Sequence, residues 1–158
     1  KIHIFTDGKK LKDKKILTYD LKNINNLSLN KKFKKAYSII SKTVKNIPEL
    51  ILYLNLSYKY LSNTLINKNL ERFISSGYDT LIPVIEDYSI NWSYDDNFKE
   101  YVPISRNLEV RKFKKPILKS LFGLGTVTNF SNLKTGDLIS GKYDFSYVNK
   151  QKFLLRDY

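Results

Sequence analysis

At 158 residues the chain has the length of one domain and can bury a core of its own. Its 28 lysines and arginines against 15 aspartates and glutamates give a formal charge of +13, but Arg72, Arg106, Arg111 and Arg156 are the only arginines, so the excess is lysine, the weaker residue for bidentate recognition. With no cysteine and His3 as the single histidine, a disulfide framework, a thiolate zinc site, a cysteine nucleophile and a multi-histidine metal site are excluded.

From the amino end, Ile2 to Thr6 reads as a strand closed by the turn pair Asp7-Gly8, followed by a charged surface stretch, Lys9 to Lys15. Ile16 to Tyr19 is a short strand. Between Asn30 and Ile47, Phe33, Ala36, Tyr37, Ile40, Val44 and Ile47 recur at helical spacing with the lysines mostly off that stripe, which predicts an amphipathic helix ending before Pro48. Leu50 to Leu54 is apolar at every position. Such a strand must be covered on both faces, and this predicts a parallel sheet. Ser62 or Asn63 then caps a helix marked by Ile66, Leu70, Phe73 and Ile74, and Gly77 closes it. Thr80 to Ile85 completes a βαβ unit, with Pro83 placing this strand at an edge or at a bulge.

Beyond Glu86 the pattern changes. Asn91 to Tyr94 and Phe98 to Val102 flank Asp95-Asp96-Asn97 as a hairpin, and residues 88–120 are expected to form an arm. Arg106 to Lys115 is basic and extended. Thr126 to Phe130 and Tyr143 to Val148 are strands around a turn or short helical piece at Ser131 to Gly136. The expected fold is a single α/β domain over 1–158: a mostly parallel open sheet with helices on both faces, plus the β-hairpin arm. The chain lacks methionine and opens directly on a strand, so a segment upstream of Lys1 is expected.

Lys, Asn, Ile, Tyr and Phe are abundant together, and all have A/T-rich codons. A biased genome therefore accounts for lysines spread over several segments, and nucleic acid is not expected as a partner. No apolar run approaches the roughly 18 residues of a membrane span and the start lacks a signal-peptide stretch, so a cytoplasmic chain without a membrane partner is expected.

Three sets of residues carry a family resemblance. Ile51-Leu52-Tyr53-Leu54-Asn55-Leu56-Ser57 precedes a helix and then Ser76-Gly77-Tyr78-Asp79-Thr80-Leu81-Ile82-Pro83-Val84-Ile85-Glu86; Phe5-Thr6-Asp7 ends an earlier strand; Ser105-Arg106-Asn107, Gly123-Leu124-Gly125 and Gly141-Lys142 follow in order. In this the chain resembles the acylneuraminate cytidylyltransferases, which activate acidic sugars. The resemblance implies attack by the anomeric hydroxyl of a sialic-acid-like sugar on the α-phosphate of CTP, with release of pyrophosphate, Mg²⁺ as cofactor and a homodimer formed through the arm. It places Asn55, Ser57, Arg106 and Lys142 on the sugar and Asp7 on the nucleotide.

Each of these residues also has a plainer reading. Asn55 can close an Asx-turn, Arg106 can sit on a solvated basic loop, Asp7 can initiate a turn before Gly8, and Gly141-Lys142 can serve backbone conformation alone. Glu86-Asp87 and Asp95-Asp96 are adjacent carboxylates of the kind that usually face water. The chain departs from the family in three places. No Gly- and Arg-containing phosphate loop precedes the Thr-Asp strand, Leu56-Ser57-Tyr58-Lys59 replaces the Pro-Thr-Ser-Pro turn, and no Asp-x-Asp for Mg²⁺ stands near Arg156-Asp157-Tyr158. Three readings follow: a transferase whose phosphate loop lies upstream, a non-catalytic relative serving as a structural or dimerising partner, or a basic module for RNA or another polyanion.

Overall fold

The structure, a computed structural model, describes residues 2–6, 16–20, 27–55, 58, 61–104 and 115–149, the first two stretches as backbone. Of the residues singled out above, Asp7, Ser57 and Arg106 lie outside the described residues.

Strands β1 (Ile2–Thr6) and β2 (Ile16–Asp20) pair in parallel as a sheet of their own. Helix α1 (Leu29–Thr43) buries Phe33, Ala36 and Ile40 along its predicted stripe. It is shorter than expected: Val44 is already extended, and Ile47 is left 56% exposed. After β3 (Leu50–Leu54), helix α2 (Asn63–Ser76) carries both expected caps, since Ser62 Oγ accepts from Leu65 N at 3.2 Å and Gly77 takes the left-handed conformation at φ 68°.

The main sheet is mixed α/β in character but not mostly parallel. Strand β4 (Thr80–Asp87) pairs antiparallel with β7 (Ile117–Ser120) and β8 (Leu124–Asn129) and parallel with β9 (Tyr143–Tyr147), while β3 pairs antiparallel with β8. Thus β3 and β4 run in the same direction, as a βαβ unit requires, but β8 runs the opposite way between them. Its sequence hides this, because β8 is buried along nearly its whole length, as is most of β4, while β3 is half-buried. Continuous apolarity demands cover on both faces and says nothing about direction. Consecutive residues of β3 supply the cover: Ile51 and Tyr53 pack with the α1 cluster of Phe33, Ile40, Phe130 and Leu133, while Leu50 and Leu52 pack with Phe73, Leu81 and Val127 beneath α2.

β3 is therefore the outer strand of this sheet among the described residues, not a central one, and β4 is central rather than at an edge. Pro83 fits there because the ladder changes partner beside it. β4 pairs with β8 up to Leu81 and with β7 from Val84, and the Pro83 carbonyl accepts from Leu121 N at 2.8 Å in the gap. In a strand a residue's amide and carbonyl point to one side, so the donor that Pro83 lacks falls where no ladder partner stands.

The arm is smaller than 88–120. Strands β5 (Trp92–Asp95) and β6 (Glu100–Pro103) form the hairpin, but β7 belongs to the main sheet. The turn has four residues, 96–99, with Lys99 at φ 54°. Between β8 and β9, a short 3₁₀ helix (Phe130–Lys134) fills the stretch expected to turn, stacking Phe130 on Tyr37 at 4.9 Å.

Candidate functional site

The shared direction of β3 and β4 defines two edges, with Leu54 and Asp87 ending strands at the carboxyl edge, and Leu50 and Thr80 beginning them at the amino edge. Open α/β sheets bind ligands beyond the carboxyl ends of their strands.

Asn55 stands at the carboxyl edge. Its amide donates to the Gly123 carbonyl at 2.8 Å and its carbonyl accepts from Tyr58 N at 3.2 Å, so the chain turns tightly as it leaves β3. Gly123 makes this approach possible: at φ 85°, a Cβ on it would lie 2.5 Å from Asn55 Cβ. Half-buried Tyr58 sits on the same turn, and burial first, then the phenol of Tyr53, pushes its hydroxyl above the usual tyrosine range. At the end of β4 the adjacent carboxylates of Glu86 and Asp87 are taken up locally. Glu86 accepts from the Tyr88 hydroxyl at 2.9 Å, and Asp87 accepts from Ser89 N at 2.9 Å and from Ser89 Oγ. Asp95 likewise closes an Asx-turn, accepting from Asn97 N at 2.9 Å and Phe98 N at 3.3 Å.

Lys142 is at the amino edge. Its backbone N donates to Asp79 Oδ2 at 2.9 Å, and its carbonyl accepts from Asp79 N and Thr80 N. Asn55 and Lys142, the two described residues that the resemblance places on the sugar, therefore sit at opposite ends of the sheet. The arrangement puts Asn55 at the edge from which β4 passes to the arm, and Lys142 at the other.

Asp79 holds the amino edge together. Its Oδ1 accepts from Asn129 Nδ2 at 2.9 Å, and Gly141 at φ 71° lets the Lys142 turn close over Oδ2. Beneath it, Thr80 Oγ1 donates to the Leu138 carbonyl at 2.8 Å and lies 3.1 Å from Thr128 Oγ1, which accepts from Asn132 Nδ2 at 2.9 Å. A cavity of about 340 Å³ opens beside it between the end of α2 and the start of β3, lined by Glu49, Leu50, Phe73, Ile74, Tyr78 and Asp79 among others.

A second buried junction was missed in the sequence reading. Asn69 is fully buried; its Nδ2 donates to the Gly125 carbonyl at 3.1 Å and its Oδ1 accepts from Ser146 Oγ at 2.7 Å, tying α2 to β8 and β9. Its spacing carried the signal, since position 69 lies three residues after Ile66 and four before Phe73, on the apolar stripe itself.

Among the described residues no group of three or more histidine, aspartate or glutamate side chains gathers to hold a metal. No helix among them is long and apolar enough to cross a membrane. No protein-family model matches the chain, and no curated protein matches it either.

Proposed function

We propose that this chain carries the sugar-holding part of a cytidylyl transfer, in which an acidic, sialic-acid-like sugar attacks the α-phosphate of CTP and pyrophosphate leaves. The observation that carries this reading is the position of Asn55, which ends β3 at the same sheet edge from which β4 passes into the arm. An amide there can bond a sugar hydroxyl or a base edge, and Arg106, which follows the arm in sequence, is the cation for the substrate carboxylate. Such transfers depend on positioning and charge neutralisation, and Mg²⁺ supplies the latter at the phosphates. Lys142, tied to Asp79 at the far edge, has no part in this reading.

The test is pyrophosphate release by the full-length gene product with CTP, Mg²⁺ and N-acetylneuraminate. Arg106→Lys should raise KM for the sugar about ten-fold or more while leaving that for CTP nearly unchanged, as expected for a hydrogen bond to a charged group worth about 1.5–3 kcal/mol. Equal effects on both substrates, or no turnover by the unaltered protein with any acidic sugar, would remove the assignment.

A second reading, a non-catalytic dimerising partner, is favoured by the arm, where Ile90, Trp92, Tyr94, Phe98, Tyr101 and Ile104 are between 46% and 73% exposed. The homodimer is common to both readings.

A further inference from the structure

The two faces of the arm differ in chemistry. The register of β5 and β6 puts Trp92, Tyr94, Tyr101 and Pro103 on one face of the ribbon and Ser93, Asp95, Glu100 and Val102 on the other. On the first, Tyr94 and Tyr101 meet edge to face at 5.3 Å, and Trp92, Tyr94 and Tyr101 are all more than half exposed. On the second, Asp95 and Glu100 stand directly opposite each other, and like charges so placed weaken a hairpin. Residues 86–104 carry Glu86, Asp87, Asp95, Asp96 and Glu100 against Lys99 alone, so the arm is acidic on a chain whose formal charge is +13.

The backbone of the arm is open along one side. Ile104 N donates to the Asn91 carbonyl at 2.8 Å, which makes 91 and 104 a hydrogen-bonded pair of the ladder. Bonded and non-bonded pairs alternate between antiparallel strands, so Trp92, Tyr94, Tyr101 and Pro103 turn their peptide groups outward. On the β6 side Pro103 has no N–H to offer, which blunts that edge. On the β5 side Trp92 and Tyr94 each offer an N–H and a carbonyl, and among the described residues β5 pairs with β6 alone. Two strands by themselves are marginal in water.

We infer that β5 takes an extended segment of a partner protein as a third strand, and that basic and apolar residues alternate along that segment. Antiparallel addition, the more stable sense, puts one set of its side chains beside Trp92 and Tyr94, where β-branched residues pack well. The other set falls beside Ser93 and Asp95, where lysine or arginine offsets the repulsion between Asp95 and Glu100. A single added strand uses both faces because its own side chains alternate between them, and its main-chain bonds complete the sheet. The inference goes beyond the transfer and dimer readings and rests on neither.

The experiment follows the emission of Trp92, the single tryptophan of the full chain, as a capped octapeptide of alternating lysine and valine is added. The emission should shift to the blue with a Kd of about 100 μM or below. An octapeptide alternating glutamate and valine, and one with the same lysines and valines in two blocks, should each bind about ten-fold more weakly or worse. Methylating the valine amides, which point at β5, should abolish binding, whereas methylating the lysine amides, which point away, should leave it nearly unchanged. Asp95→Asn with Glu100→Gln should weaken the peptide about three-fold or more. The asparagine keeps the oxygen that closes the turn, and circular dichroism confirms that the variant folds. No binding, equal binding of the block peptide, indifference to valine methylation or to the double variant, or a blue shift on concentrating the protein alone, which would put a second copy on this edge, would each overturn the inference.

Discussion

Arg72 in α2 and Asp144 in β9, 72 residues apart in sequence, meet on one carboxylate oxygen, with Nε at 2.8 Å and Nη2 at 2.7 Å from Oδ2. The guanidinium, with help from the Phe145 amide, holds the Asp144 carboxyl below its ordinary range, and the carboxylate raises Arg72 in turn. A carboxyl lowered on folding stabilises the native state above its unfolded pKa, near 3.8, and that stability is lost as pH falls through the lower folded value. Both side chains keep solvent contact, so the pair contributes about 0.2–1 kcal/mol. Asp144→Asn should lower stability by that amount at pH 7, and the difference from the unaltered protein should shrink as pH falls below about 3.8. Urea unfolding at several pH values checks this; a difference that grows on acidification would contradict it.

Asn69→Leu should be among the most destabilising single changes in the chain. It fills similar space but leaves the Ser146 hydroxyl and the Gly125 carbonyl buried without their partner. Each such group costs about 1–3 kcal/mol. At roughly 2–4 °C per kcal/mol for a chain of this size, the melting temperature should fall by about 4 °C or more. Adding Ser146→Ala should recover part of the loss, and thermal melts of the single and double variants measure how much.

Gly123 and Gly77 separate steric from conformational cost. Both have positive φ, but a Cβ on Gly77 would meet nothing within 4 Å whereas one on Gly123 would strike Asn55. Gly77→Ala should therefore cost only the left-handed backbone penalty of about 1–2 kcal/mol. Gly123→Ala should cost that and a further 1–3 kcal/mol or so of overpacking, and displace the Asn55 turn. Equal midpoints in denaturant for the two variants would mean that β3 and the Gly123 turn are not held so closely together.

Dispersed lysines predict weak nucleic-acid binding despite the formal charge of +13. Each phosphate neutralised on a single strand adds only about 0.7 to the salt slope, so few simultaneous contacts give an affinity that fades by about 150 mM salt. Fluorescence anisotropy with a labelled oligonucleotide is the measurement. A Kd below about 1 μM at that salt, with a steep slope, would reverse the genomic-bias account.

Local features were legible in the sequence where one residue type has one physical use. The Ser62 cap, the Gly77 stop and the stripe of Phe33, Ala36 and Ile40 stand where composition placed them, and the expected hairpin forms with its turn at 96–99 rather than 95–97. Strand direction was not legible, because Leu50 to Leu54 and Leu124 to Asn129 are both covered on two faces, and one is antiparallel to the other. Nor was the separation of Asn55 from Lys142. Both follow turn signals, but which end of the sheet a turn occupies depends on the pairing partner of its strand. Asn69 was passed over because an asparagine in a helix is ordinarily taken as solvated, although its place on the apolar stripe argued for burial.

The slot that β8 occupies has a consequence for how the protein is made. β3 and β4 leave the ribosome well before residues 124–129, so β3 has no place in a sheet with β4, and Leu52, Leu81 and the backbone edges that β8 pairs stay open, until the last quarter of the chain arrives. Pairing across such sequence separation is slow, and exposed strand edges invite association with other chains in the interval. Premature termination before residue 124 would leave not a smaller version of this fold but two strands with nothing between them, a product for chaperones and proteases to find.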